Sequence, residues 1–332
     1  MNSNDKKITV IIPNYNGIKY IEGCLDSLEN EKKEEGTPKF GVIVVDNGST
    51  DGSEVLLKEK YKDITKIFLE KNTGFCHAVN LGIKAADTPY VILLNNDTKV
   101  LAGFIKNLYE CISRKKKTFA VSSQMLMWDK PELLDDAGDL YNAFGWAFAR
   151  GKKRPAKEFD KRAKVFSACG GAAIYKRSVF EKIGYFDERH FAYLEDLDIC
   201  YRAKIYGYNN YYEPGAKVLH FGSASTGSRY NEKKTAICAA NSIYVIYKNM
   251  PFLQLLLNFP LILAGIFIKF IFFCKKKMGR LYLKGIMQGL EKSSGVEAKE
   301  HKIAYKSVNL PHYFQIQLEL YLNILRMFLK IS

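Results

Sequence analysis

Residues 191–202, FAYLEDLDICYR, place three carboxylates, Glu195, Asp196 and Asp198, within four positions behind an aromatic run. Acids in a first helical turn complement the positive end of the helix dipole by a few tenths of a kcal/mol to about one. Asp198 stands four residues before Arg202, where the two can pair on one helical face, and is expected to be structural. Glu195 and Asp196 are different. Neighbouring acids beside Phe191 and Tyr193 raise one another's proton affinity, which suits a site that needs a base or an acid.

Other candidates end strand-like runs. Asp46 closes GVIVVD and opens onto NGST. A carboxylate there can accept the N3 proton of uracil or thymine, or it can serve a local Asx turn or helix cap; both readings stand. Asn47 and Ser49 fit the turn better than a ligand. Asp97 ends YVILLNND, where a divalent cation bridging two phosphates takes oxygen ligands from one or two carboxylates and water. His220, ending KVLHF, is either the second protein ligand of that cation or a structural histidine.

These residues need a scaffold that collects strand ends. ITVIIP (8–13), GVIVVD (41–46), TKIFLE (65–70) and YVILLN (90–95) are apolar and mostly β-branched, and all but the third are apolar on both faces, as parallel strands between helical layers are. Between them, Ile18, Ile21, Cys24, Leu25 and Leu28 share one helical face, and Phe75, Val79, Gly82, Ile83 and Ala86 another. Alternating strand and helix gives a doubly wound α/β sheet, whose ligand lies beyond the carboxyl ends of the strands. The segments there are PNYN, DNGSTDGS, KNTGFCHAVN and NNDT. Later, CGGAAIYKRSVFEKIG reads as a strand and a short helix, and NNYYEP and KVLHF as strands. The basic stretch KKRPAKEFDKRAK has no periodicity and reads as an exposed, mobile loop; with Arg150 it could instead close over a pyrophosphate.

The chain of 332 residues is 47% hydrophobic, carries a net charge of +15 and has a pI near 9.3, so an acidic partner such as a nucleotide diphosphate or anionic lipid is expected. Its seven cysteines form no CxxC pair, which fits a reducing cytoplasm without zinc. The start, MNSNDKKITVIIP, has no apolar leader-like region. No GxGxxG follows the first strand, which argues against a dinucleotide oxidoreductase, and no RNA-binding aromatic signature appears, so no nucleic-acid partner is expected.

With VIIPNYN, VVDNGSTDGS, NTGFCHAVNLGI, LLNNDT and FAYLEDLDICYR in this order, the chain resembles a family 2 glycosyltransferase of the GT-A fold over residues 8 to about 225. DDAGD, ACGGAAIYKRS and HFGSASTG resemble the rhamnosyltransferase-like subgroup, whose usual donor is a dTDP-activated deoxysugar. The resemblance implies a Rossmann-like, mostly parallel central sheet in a catalytic domain at 1–240. It makes Asp46 the acid that holds the pyrimidine and Pro13, Asn14, Tyr15 and Asn16 the base and ribose loop, with Asn47, Asn72, Gly74, Asn80 and Asn96 as further nucleotide positions. Asp97 corresponds to the last acid of the metal-binding DxD, holding Mg2+ or Mn2+; Asn95 replaces the first acid. His220 matches a histidine that completes this site in some relatives. Asp196 corresponds to the catalytic base, Glu195 orients it or touches the acceptor, and Asp136, Phe191 and Tyr193 are expected to meet the sugar or acceptor. The expected reaction is an inverting displacement at an anomeric carbon, with rhamnose the foremost donor sugar. A UDP-hexose donor is the alternative. Asn95 also leaves room for a non-catalytic nucleotide-sugar-binding protein.

Residues 241–332 are expected to form a helical region that binds the membrane or another copy. PFLQLLLNFPLILAGIFIKFIFFCKKK (251–277) approaches the roughly twenty residues that cross a bilayer, but Asn258, Pro260 and Lys269 interrupt it. A simple span would put Lys275 to Lys277 and Arg280 outside, against the positive-inside tendency. Helices lying in the cytoplasmic leaflet are expected instead, with a lipid-linked saccharide as acceptor and the cytoplasmic membrane face as location. In YFQIQLELYLNILRMFLKI, the residues Gln315, Glu319, Asn323, Arg326 and Lys330 form one polar stripe. Such a helix lies at a membrane surface, on the protein's own core or in a homodimer.

Overall fold

The computed structural model describes residues 6–222 and 231–329. Residues 223–230, which include most of HFGSASTG, and Lys330 lie outside the described residues. The first half alternates as its hydrophobic pattern dictates: β1 (Ile8–Asn14), α1 (Ile18–Glu31), β2 (Phe40–Asp46), α2 (Ser53–Lys60), β3 (Thr65–Phe68), α3 (Phe75–Ala85) and β4 (Tyr90–Leu94). β1 pairs in parallel with β2 and β4, and β2 with β3. Ile8, Val10 and Ile12 pack on one face with α1, while Ile11 packs on the other with Val79 and Ile83 of α3. Both faces of β1 are therefore dry, which explains its unbroken apolar run.

Next come β5 (Thr98–Val100), α4 (Phe104–Ser113), β6 (Thr118–Met127), β7 (Lys130–Asp136), the hairpin β8 (Asp139–Tyr141) and β9 (Ala147–Ala149), and β10 (Ala163–Val165). They are followed by β11 (Ala172–Lys176), α5 (Arg177–Ile183), α6 (Glu195–Ile205) and β12 (Asn209–His220). The sheet runs β10-β12-β6-β11-β4-β1-β2-β3. It is mixed rather than mostly parallel: β11 is antiparallel to both β4 and β6. The cause is where β11 begins. Ala172 pairs with Leu94, the last residue of β4, so β11 starts at the ligand edge and runs away from it.

The basic stretch after Arg150 is not a free loop. Arg150 is buried, with its guanidinium 4.9 Å from the Phe159 ring and 5.2 Å from the Tyr212 ring. Phe159, the last residue of a short 3-10 turn, is buried, and β10 pairs with β12. Cation–π stacking on two desolvated rings holds Arg150 in the interior, unavailable to close over a pyrophosphate.

The C-terminal region is α7 (Glu232–Asn249), α8 (Phe252–Lys275), α9 (Gly279–Lys292), α10 (Gly295–His301) and α11 (Leu310–Leu329). The division expected at 240 falls inside α7. Val245, Ile262, Ile316 and Leu320 share a core with Leu197 and Tyr201 of α6, so this region backs directly onto the helix that carries the acids. Its amphipathy is inverted. On α8, Gln254 and Asn258 are buried, bonding Tyr201 at 3.0 Å and Gln317 at 2.8 Å. The polar stripe of α11 also turns inward: Glu319 pairs with Lys204 at 2.7 Å and Asn323 donates to the Tyr141 carbonyl at 2.8 Å. Gln315 is the exposed exception. Outward stand Phe252, Leu253, Leu256, Leu257, Phe267 and Ile268 of α8, with Phe314, Leu318, Leu322, Leu325 and Phe328 of α11; Phe252 and Leu253 are 72% and 76% exposed. Water would penalise so continuous an apolar face.

Candidate active site

The ends of β1, β2 and β4 are tied by one chain of hydrogen bonds. Asn96 donates to Asn14 Oδ1 at 2.6 Å, and Asn14 donates to Asp46 Oδ2 at 2.7 Å. Ser49 closes the turn after Asp46 with its backbone N–H on Oδ1 and its hydroxyl on Oδ2, both at 2.8 Å. The Asx turn is therefore formed. Three of the roughly four acceptor sites of the carboxylate are filled, which leaves one for a base N–H. Gly17 is required beneath this chain, since a Cβ there would lie 2.0 Å from Asn96 Nδ2. Pro13 is half-buried, Tyr15 is exposed, and Asn16 holds the Thr50 N–H at 2.8 Å.

A second loop joins from the end of β3. Asn47 donates to the Gly74 carbonyl at 3.0 Å and accepts from the Thr73 N–H at 2.9 Å, while Asn72 accepts from the Gly74 N–H at 2.9 Å. Gly74 has φ +91°, and a Cβ would sit 2.8 Å from the Phe191 carbonyl oxygen, so this loop lies against the acidic motif. Asn80 does not belong to this surface. It is buried, with both donors used on the Phe186 carbonyl at 2.8 Å and Glu188 at 3.0 Å. Its place on the inner side of α3 makes it a strut for the segment before α6.

Phe191, Tyr193 and Leu194 all have left-handed backbone, with φ of +60°, +70° and +64°. This unfavourable path is held from outside: Asn241 Nδ2 of α7 faces the carbonyls of His190, Ala192 and Tyr193 at 3.0, 2.9 and 2.8 Å. Nothing in the sequence around Asn241 signals this role.

The loop delivers Glu195 and Asp196 to the start of α6. Glu195 is buried with Oε2 unpartnered, and burial, reinforced by the charge of Asp196, pushes its pKa to about 8. Burial also raises Asp196, which accepts from the N–H groups of Leu197 at 2.7 Å and Gly170 at 3.3 Å. Asp198 behaves as expected of a structural acid. It pairs with Arg202 at 3.0 Å and Lys248 at 2.9 Å, which hold its carboxyl far below the usual range despite burial.

Two groups the sequence left unassigned complete the surroundings of Asp196: ligand atoms of Asp139 and Cys169 lie within 4.8 Å of it and of each other. Asp136, expected to meet the sugar, is buried, accepts from the Gly138 N–H at 2.6 Å and is raised to about 7 by burial and the charge of Asp135. The segment Cys169–Gly171 links this acidic group to the end of β4. Gly170 touches Asp196, and the Gly171 carbonyl accepts the Asn95 N–H at 2.8 Å.

Asp97 and His220 meet, with Nε2 3.4 Å from Oδ1. The other ring nitrogen contacts Asp135 at 2.8 Å, and Lys152 holds Asp135 at 2.6 Å. Burial lowers the His220 pKa, but hydrogen bonds to Asp135 and Asp97 outweigh it and raise the ring to about 9. In this state the ring is a cation bonded to both carboxylates; once Nε2 loses its proton, a nitrogen oriented through Asp135 and turned toward Asp97 can ligate a metal. The separation is close to the roughly 3 Å between adjacent ligands of an ion bound at about 2.1 Å. The donor set thus fits Mg2+ or Mn2+, completed by water and phosphate oxygens. Beside Asp97 opens a cavity of about 300 Å³ between Lys19, Lys99, Tyr20, Trp128 and Phe221.

The chain is similar to known proteins in sequence and in fold. Over 221 residues the chain is 28% identical to the N-acetylglucosaminyl-diphospho-decaprenol L-rhamnosyltransferase of Mycobacterium tuberculosis, covering 56% of this chain and 68% of that protein. It is 38% identical over 107 residues to the teichoic acid poly(glycerol phosphate) polymerase of Staphylococcus epidermidis, a match of 31% of this chain but only 14% of that longer protein. The crystal structure of GalNAc-T7 with UDP, GalNAc and Mn2+ superposes with a TM-score of 0.57 at 16% identity, over 74% of this chain and 48% of that one, which establishes the GT-A fold. The family model for glycosyl transferase family 2 matches residues 9–184, more than half of the chain and the span that carries the strand-end loops. With that span and that fold, the protein belongs to glycosyl transferase family 2.

Proposed function

We propose that this glycosyltransferase moves a sugar, foremost rhamnose from dTDP-rhamnose, onto a lipid-linked saccharide at the cytoplasmic membrane face, with inversion at the anomeric carbon. The observation that carries this reading is the poorly solvated carboxylate of Asp196, its proton affinity raised, beside the segment that also borders Asn95 and the Asp97 turn. A carboxylate so tuned can take the proton of an acceptor hydroxyl as that oxygen attacks. Asp46, Asn14, Asn16 and the 72–74 loop hold the nucleotide, while Asp97 and His220 hold Mg2+ or Mn2+. The ion, when bound, stabilises charge on the departing diphosphate. Glu195, neutral near pH 7, keeps a second negative charge away from Asp196. Phe191 and Tyr193 flank the sugar, and Asp136 supplies a polar contact to it.

The rhamnosyl preference and the lipid-linked acceptor draw support from the name of the mycobacterial relative; the membrane location draws support from the outward apolar faces of α8 and α11. The test is a panel of dTDP- and UDP-sugars with and without Mn2+, in the intact protein and in Asp196→Asn. Transfer is expected to fall by about 10²- to 10⁴-fold or more in the variant, with donor binding by calorimetry retained. Undiminished transfer in Asp196→Asn refutes the assignment, and donor binding without turnover in the intact protein refutes the enzyme reading.

A further inference from the structure

Lys269 is the only charged residue between Phe252 and Cys274. The inward stripe of α8 runs through Gln254, Asn258, Ile262 and Gly265, and Lys269, one helical turn on, continues it. At Gly265 the helix is seated on the tip of the β8–β9 hairpin: Trp146 Nε1 donates to the Gly265 carbonyl at 3.2 Å, and a Cβ would lie 2.5 Å from the Phe144 carbonyl oxygen. The Lys269 ammonium lies 5.5 Å from the centroid of the Trp146 ring, half-buried, and makes no ion pair among the described residues. Burial lowers its pKa to about 8.

A cation partly withdrawn from water, with a ring face but no counter-ion beside it, favours an anionic partner. Its position indicates which one. Cys238 of α7 lies in the fields of Lys234 and Lys269 and also in those of Glu195 and Asp196, so the same stretch of α7 feels both the ammonium and the acids. Lys234 lies 4.9 Å from the ring of Tyr193, next to the acids. The β8–β9 hairpin bridges the same two features, with Asp139 beside Asp196 at one end and Trp146 beneath Lys269 at the other. On the outside of α8, Phe267, Ile268, Ile271 and Phe272 are exposed.

We propose that Lys269, supported by Trp146 and Lys234, binds the diphosphate of an isoprenyl-diphosphate-linked acceptor, with the lipid along the outer face of α8 and the saccharide directed at Asp196. The inference rests on the lipid-linked acceptor proposed above. It separates two diphosphates: that of the donor belongs to the Asp97 and His220 side, that of the acceptor to α8.

The test uses the full chain in detergent micelles. Trp128→Phe leaves Trp146 as the sole tryptophan, a reporter beneath Lys269. Its emission is titrated with farnesyl diphosphate, farnesol and inorganic pyrophosphate. Farnesyl diphosphate is expected to give a saturable change that weakens by about tenfold or more in Lys269→Met and returns to within roughly threefold in Lys269→Arg, with farnesol and pyrophosphate each at least about tenfold weaker. An unchanged titration in Lys269→Met, or farnesol or pyrophosphate binding as tightly as farnesyl diphosphate, overturns the site. Nucleotide-sugar binding and turnover are measured in parallel on protein that keeps Trp128, since that residue lines the cavity beside Asp97. If farnesyl diphosphate binds through Lys269 but no nucleotide sugar is bound or turned over, the proposed function fails and the diphosphate site stands.

Discussion

Replacing Asn241 with alanine should loosen the loop that carries the acids while leaving the donor loops intact. Three residues of that loop, Phe191, Tyr193 and Leu194, are left-handed, a conformation that costs a side-chain-bearing residue roughly 1 kcal/mol or more each. Against this stand the two N–H donors of Asn241 Nδ2, shared among three carbonyls at 2.8 to 3.0 Å, which together contribute about 2 kcal/mol net. The clamp offsets much of that cost, so it weighs on whether the loop stays in place. Alanine keeps the unfavourable backbone and removes both donors, a shift of about 2 kcal/mol toward open conformations, or roughly a 30-fold rise in their population. Hydrogen–deuterium exchange reads this directly at the amides of Phe75, which donates to the Phe191 carbonyl at 2.7 Å, and of Asp198, which donates to that of Leu194 at 3.0 Å. Exchange there should accelerate by one to two orders of magnitude and kcat should fall, while nucleotide affinity changes little. Asn241→Asp, which keeps the volume but turns an acceptor toward the three carbonyls, should do at least as much. Exchange within about threefold of the parent in both variants would refute the reasoning.

Two further outcomes are expected. Glu195→Gln should stabilise the protein at alkaline pH: the folded-state pKa of about 8 stands above the ordinary 4.5, so the stability held by the protonated acid is complete below 4.5 and is lost as pH rises through 8. Thermal melts should show little difference near pH 4 and a gain of a few kcal/mol above pH 8; equal melting at both ends would contradict it. On the outer surface, charging α8 with Leu253→Glu and Leu256→Glu should reduce flotation with anionic vesicles by about tenfold or more, with the fold unchanged by circular dichroism. Undiminished flotation would remove α8 from the membrane contact.

What could be read from the sequence was whatever is local. The strands β1, β2 and β4 announce themselves because both faces are buried and the apolar run is unbroken, and the Asp198–Arg202 pair follows from helical spacing alone. Groups brought together over long separations were not legible as partners. Asp135 and His220 are 85 positions apart, and only the folded sheet shows that one orients the other toward Asp97. The basic stretch is largely exposed, as expected, but its anchor Phe159 and the burial of Arg150 against Phe159 and Tyr212 were not legible. Asn80 sits in a segment rich in nucleotide candidates, yet on the side of α3 that faces Phe186. The direction of the α11 stripe was likewise open, because amphipathy gives a helix two faces without saying which one meets the protein.

The inverted helices also limit how this protein can be dissected. Deleting α8 to α11 to obtain a more tractable fragment would remove the partners of Tyr201 and Lys204 and uncover Leu197, stripping the back wall from the helix that presents the acids. The oily exterior and the backing of the acidic helix are two sides of the same few turns of polypeptide. Handling this protein in solution therefore calls for coating those turns with amphiphile or recolouring their outward residues, since a shortened chain would be easier to dissolve only by ceasing to be the same machine.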